Sequence, residues 1–219
     1  MRLIVRRALI ALAIVLVFIV IGGAVGGLWL RSALLASLPV LDGEIALPGL
    51  TEPVVVERDD LGVPTVRAAD RIDLARATGF LHAQDRFFQM DLLRRMSAGE
   101  LSEIMGTAAL EWDRSIRVHR FRDVARRALQ QPVSEVVQAY TDGVNQGLAA
   151  LDGKPFEYLA LRAEPAPWRP EDVVLVGLAM FVSLQDESGK RESNLGVIHD
   201  VLPYAVYDLL AAQGSEWDA

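Results

Sequence analysis

From Ala8 to Leu30 the chain reads ALIALAIVLVFIVIGGAVGGLWL, without a single charged side chain. Wound as a helix at about 1.5 Å per residue, this run is long enough to cross a hydrocarbon core of about 30 Å. Arg2, Arg6 and Arg7 precede it, so the excess of cations on that side places the N-terminus in the cytoplasm and the rest of the chain across the membrane. Arg31, on the far side, reduces that asymmetry only slightly. A cleaved signal peptide is the competing reading, but its apolar region usually spans about 7–15 residues and ends at a small-residue site. The present run is longer, and Arg31 to Ser37 matches such a site imperfectly. Residues 1–32 are therefore read as a membrane anchor or signal segment, with the uncleaved anchor favoured, and residues 33–219 as the exported region. The expected location is the bacterial cell envelope, with the main domain outside the cytoplasm.

Composition narrows the function classes. The apolar run accounts for much of the 52% hydrophobic content and the mean hydropathy of +0.26. A chain of 219 residues holds one sizeable core or two small ones. Cysteine is absent, which excludes thiol catalysis and cysteine-ligated metal within this chain and is compatible with an envelope protein that needs no disulfides. The net charge of −7 argues against nucleic acid as a partner. Between Arg114 and Arg127 the basic residues are accompanied by Asp113 and Asp123, which reads as a solvated helix face.

Beyond the anchor, Pro53 to Asp59 is a β-branched run read as a strand, Asp60 to Pro64 turns it, and Thr65 to Ala68 returns. Helices are then expected over Asp73–Ser97, Glu100–Met105, Trp112–Gln130, Ser134–Leu151, Pro170–Leu184 and Tyr204–Gln213. Pro132 stops the third, and Pro170-Glu171-Asp172 suits a first turn. Gln185 to Asn194 reads as a polar loop after the most apolar helix. In the first of these helices Ala77, Leu81, Phe88 and Leu92 recur at helical spacing, with Gln84 on the same stripe and His82 and Asp85 beside it. A buried amide is costly without a hydrogen bond, so Gln84 predicts an internal polar network.

No GxSxG, HExxH, P-loop or GxGxxG motif is present, and the three histidines are too scattered to suggest a metal site. Asp186, Glu187 and Glu192 offer oxygen ligands suited to a hard cation such as calcium; a solvated acidic loop explains them equally well. Residue chemistry alone thus reaches an exported, mostly helical domain with no complete active site.

The strings RDDLGVPTVRA (from Arg58) and ATGFLHAQDRFFQMDLLRRMSAGELSEIMG (from Ala77) go further. With SLPVLDGEIALPGL before them and EPAPWRPEDVVLVGLAMF after them, they resemble the penicillin acylase (penicillin amidase) family of N-terminal-nucleophile hydrolases over about Leu38 to Leu210. The resemblance is to the α-chain portion of a precursor that is cut into α and β chains. It implies an α+β fold: the mostly helical α part of an αββα hydrolase, with a short N-terminal hairpin. It also implies that the nucleophile is a serine at the start of a β chain, its own amine acting as base, and that this chain contributes no catalytic residue. Phe181, Leu184, Gln185 and Ser188 match the region that lines the acyl pocket, and Glu192 best matches a calcium-ligating glutamate. Well-known members carry an Arg-Phe pair where this chain has Ser188-Gly189, so an aromatic acyl preference does not carry over. The substrate implied is a small acylated amine, such as a β-lactam side-chain amide or an acyl-homoserine lactone. A non-catalytic, membrane-anchored binding or scaffold remnant of the same fold is the alternative.

Overall fold

A computed structural model describes residues 2–129, 132–184 and 189–211. Helix α1 (Arg2–Ala36) contains the uncharged run and continues past the expected boundary at residue 32. An antiparallel hairpin follows, β1 (Val55–Arg58) and β2 (Pro64–Arg67), with Val55 opposite Arg67 and Arg58 opposite Pro64. Its turn is held by the Asp59 carboxylate, which accepts the Leu61 and Val63 amides at 2.9 and 2.8 Å. The rest is helical: α2 (Arg71–Ala98), α3 (Ser102–Met105), a short 3-10 turn over Gly106–Ala109, α4 (Leu110–Arg117), α5 (Phe121–Ala128), α6 (Glu135–Ala149), α7 (Phe156–Leu161), α8 (Pro170–Ser183), α9 (Lys190–Val201) and α10 (Tyr204–Leu210). The chain divides into two units, Met1–Ala179 and Met180–Ala219.

Three expectations need correction. The single helix over Trp112–Gln130 is two helices, because Arg120 adopts a left-handed φ of 53° that a right-handed helix cannot continue. The polar loop ends earlier than Asn194, since Lys190 already begins α9. Helix α7 was not anticipated, because six residues behind Pro155 are too few to show a helical period.

Helices α2 and α6 form the centre of the first unit, and glycine sets how closely they approach. A Cβ placed on Gly143 would lie 2.0 Å from the Arg76 carbonyl oxygen, one on Gly79 2.2 Å from that of Tyr140, and one on Gly147 2.3 Å from that of Phe80. The two backbones therefore touch with no side chain between them. Ala83, Phe87, Met90, Val144, Tyr158 and Trp168 build the core on this contact, and a smaller cluster of Ala98, Ala125 and Leu175 lies beyond it.

Buried aspartates fasten the irregular segments to this centre. Asp70 caps α2 by accepting the Ile72 and Asp73 amides. Asp73, fully buried, accepts the Thr51 hydroxyl at 2.7 Å and the Thr51 and Glu52 amides at 3.0 Å. Asp113 accepts the Leu101 and Ser102 amides at 2.9 and 2.8 Å. Arg94 bridges Asp91 and Asp172 and also donates to the carbonyls of Ala166 and Pro167, with Trp168 stacked 4.9 Å from its guanidinium carbon. Arg95 and the Tyr158 hydroxyl complete the shell around Asp91. The expected polar network is thus present on α2, but it centres on Asp91 rather than Gln84.

Replacing Gly143 with alanine should lower the thermal midpoint of the full chain in detergent, at a cost near the upper end of the about 1–3 kcal/mol typical of overpacked cores. Gly177→Ala is the control: no atom lies within 4 Å of a Cβ there, so the same methyl group should be neutral or mildly stabilising in circular-dichroism melts.

Candidate functional site

The GFLHAQDR run lies on α2 where the helix is interrupted. Arg86 has non-helical torsions (φ −155°, ψ 33°), and beyond it burial falls on Phe87, Met90 and Asp91 rather than on the expected Phe88 and Leu92. Before the break, Ala77, Leu81 and Gln84 are buried as the periodicity predicts. Asp85 points the other way, to the hairpin. Its carboxylate takes two parallel hydrogen bonds from the Arg58 guanidinium, at 2.9 and 3.0 Å, while Arg58 also donates to the Gly62 carbonyl. This bidentate pair fixes the end of β1 and its turn to the middle of α2. Arg58 is the residue that sequence reasoning missed: a cation ending a β-branched run was the available signal.

His82 and Tyr140 make a second tie, between α2 and α6. The imidazole Nδ1 lies 3.0 Å from the Tyr140 hydroxyl, with the rings edge to face. His82 keeps part of its surface open to solvent, but partial desolvation of the ring lowers its pKa below the ordinary value, Arg86 lowers it further, and Asp85 partly opposes both. Burial alone pushes the Tyr140 hydroxyl up to about 12. A neutral imidazole beside a neutral phenol is a structural joint, and nothing here resembles a nucleophile with its base.

Two concavities flank this element. One, of about 360 Å³, lies among Ser37–Pro39, Arg58, residues 83–89 and Pro155–Glu157. The other, of about 590 Å³, is a groove between the connector over residues 40–50, β1 and α2. Gln84 and Arg58 line both. Gln84 is only 7% exposed, and what remains open includes its carboxamide, which is not among the buried polar atoms left unpaired.

Of the residues expected to line an acyl pocket, Phe181 lies in the last turn of α8 and Leu184 just after it, 53% and 77% exposed. Gln185 and Ser188 lie outside the described residues. Glu192 occupies the first turn of α9, its carboxylate 4.0 Å from Arg191 and largely exposed. Among the described residues no group of three or more His, Cys, Asp or Glu side chains could hold a metal ion. Calcium takes six to eight oxygen ligands, so these residues do not make a calcium site by themselves.

An imidazole whose pKa is lowered by folding is held neutral by the fold. It withholds nothing above the unfolded value of about 6.5, and it costs stability as pH falls through that value toward the lowered one. In NMR titrations the His82 imidazole should therefore protonate below 6.5, and Asp85→Asn should move its midpoint further down. A midpoint above 6.5 would contradict the burial-dominated environment.

Comparison with known proteins identifies the scaffold. Residues 53–215 match the penicillin amidase family. The chain is 45% identical over 143 residues to the penicillin acylase 2 proenzyme of Pseudomonas sp. strain SE83, covering 64% of this chain and 18% of that protein. It is 33% identical over 167 residues to the acyl-homoserine lactone acylase QuiP of Pseudomonas aeruginosa, covering 73% and 20%. The chain thus spans about a fifth of the length of the curated relatives it matches. A solved structure, the thermostable penicillin G acylase from Alcaligenes faecalis, superposes with a TM-score of 0.53 at 26% identity, over 76% of this chain and 95% of that one. The matched residues run from the hairpin through the His82–Arg86 run to the helices after it, and the chain belongs to the penicillin amidase family.

Proposed function

We propose that this chain is the α-type portion of a two-chain amidohydrolase that cleaves the amide of a small acylated amine. The observation that carries the reading is a contrast in coverage. The chain accounts for 95% of a solved penicillin G acylase chain but only about a fifth of the full-length relatives. A polypeptide of this extent is therefore a separate chain in one relative, and on this reading the companion comes from the length of the relatives that this chain does not cover. A relative named as a proenzyme is in keeping with division of a precursor.

On this reading the companion supplies the serine nucleophile and the donors that receive the oxyanion as the amide carbonyl is attacked. This chain contributes scaffold and one wall of the acyl pocket. Phe181 and Leu184 suit that wall, since they are apolar and exposed at the end of α8. None of the residues in α9 and α10 is buried, and Val197, Val201, Tyr204 and Leu209 are all more than half exposed. Such apolar surface in the second unit is what a missing partner would cover. Both β-lactam side-chain amides and acyl-homoserine lactones fall within the class, since relatives named for each are similar. Glu192 is proposed as one ligand of a structural calcium ion whose other ligands come from outside the described residues.

Helix α1 is proposed as a retained anchor that holds the domain at the outer face of the cytoplasmic membrane. Leu9–Ala36 holds an 18-residue window of mean hydropathy 3.0, apolar enough to span, as would also be true of a signal sequence. Retention is favoured because the junction is built into the fold. The Gly153 amide donates to the Ala36 carbonyl at 2.8 Å, and Ser37 is buried with its hydroxyl on the Leu34 carbonyl.

Two experiments test these readings. Co-expressing the full chain with the companion encoded beyond it, or beside it, should yield a complex that releases acid from acylated amines, whereas the chain alone turns over none. A companion lacking an N-terminal serine, or an inactive complex, would remove the enzyme reading in favour of a scaffold. In the active complex, Glu192→Ala should lower the thermal midpoint in calcium but not in chelator; an equal loss in both would remove calcium.

A further inference from the structure

We infer that the outer edge of β1, with the groove beneath it, receives an extended apolar segment of the companion chain. This inference rests on the two-chain reading above and names the surface that would make the contact. Three independent features point to it.

The first is the pattern of β1. Successive residues of a strand face opposite sides, yet Val55 and Val56 are 53% and 40% exposed, so both faces of the strand show a β-branched side chain to solvent. A continuous run such as Val54-Val55-Val56 is the composition of a strand covered on both faces within a larger sheet. Among the described residues the sheet has two strands, and a lone hairpin is marginally stable at best.

The second is the edge itself. Among the described residues β1 pairs only with β2, and Val55 and Val56, with Pro53 and Val54 just ahead of the strand, all line the groove. Consecutive residues lining one concavity mean that the strand presents its backbone edge there, not one face. Unpaired backbone donors and acceptors at an edge accept another strand, which is how sheets are augmented in peptide recognition.

The third is Gln84 on the floor. It is more than nine-tenths buried, without a hydrogen-bond partner among the described residues, and it faces this groove. Its carboxamide is not among the buried polar atoms left unpaired, so it still meets solvent through the concavities it lines, and a polar group laid in the groove can bond to it in place of water. A strand lying against β1 supplies both parts: apolar side chains for Phe80 and Leu81, and a backbone amide or carbonyl within reach of the carboxamide. The companion is the fitting occupant because most of the length of the relatives lies outside this chain.

The absence of cysteine makes a direct test clean. Val55→Cys and Val56→Cys are introduced singly into the full chain, which is purified in detergent with and without the companion. Alkylation by a maleimide should slow at least tenfold at both positions in the complex. Gln84→Leu should weaken companion binding at least fivefold while Gln84→Asn, which keeps an amide, weakens it less. If the two chains co-purify but both cysteines react as fast as in the unaccompanied chain, the groove inference is overturned and the two-chain reading stands. If the chains do not associate, both are overturned. Equal protection in the unaccompanied chain through self-association would assign the edge to a second copy and overturn the companion as its occupant.

Discussion

The contact on which the first unit depends is backbone against backbone. Where α2 crosses α6, three glycines leave room for the carbonyls of Arg76, Tyr140 and Phe80 to approach within a distance that a single methyl group would occupy. Interiors are packed as densely as organic crystals, so this crossing fixes the separation and register of the two helices with little slack. Everything attached to α2 inherits that register. The hairpin hangs from Asp85, the connector from Asp73, and the segment before α8 from Arg94.

Charge is used inside this unit as mechanical fastening. Asp73, Asp91, Asp113 and Asp172 are at most 1% exposed, a burial that an isolated carboxylate could not sustain. Each is saturated: by backbone amides and a hydroxyl at Asp73, by amides at Asp113, by guanidinium groups at Asp91 and Asp172. Asp73 shows the consequence most directly. The Thr51 hydroxyl, followed by its amide, holds the carboxyl below the usual carboxylate range against the opposing effect of burial. The stability it brings is therefore complete above about pH 4 and is lost as pH falls through the lowered value. Buried ion pairs seldom add much net stability over an apolar core, but they tolerate few alternative arrangements, which suits segments with no secondary structure to direct them.

Much of this was legible in the residues. Patterning located the apolar span, the hairpin and three of the long helices, and the strings around His82 placed the chain in its family. What could not be read was set by partners distant in sequence. Arg58 meets Asp85 across 27 positions and Arg94 meets Asp172 across 78, so neither pair leaves a local signature. Gln84 is buried as its place on the stripe predicts, but the internal network expected around it forms at Asp91 instead. The break at Arg120 escaped notice because a left-handed arginine leaves no trace in an amphipathic pattern, and Asp113 and Asp123, read as solvated, differ: only Asp113 is buried. The expected pocket and calcium residues stand in a unit with no buried side chain in α9 or α10, where sequence pattern has no core to report on.

The joint between Ala36 and Gly153 carries a last consequence. A Cβ at residue 153 would lie 3.0 Å from that of Ala36, and the amide of the same residue is bonded to the Ala36 carbonyl. Helices in a bilayer tilt to match its thickness, and a flexible tether would absorb such tilting. Here the last turn of α1 bears directly on the loop between α6 and α7. On the proposed retention of α1, the direction in which that helix leaves the domain is set by the loop after α6 rather than by a free linker.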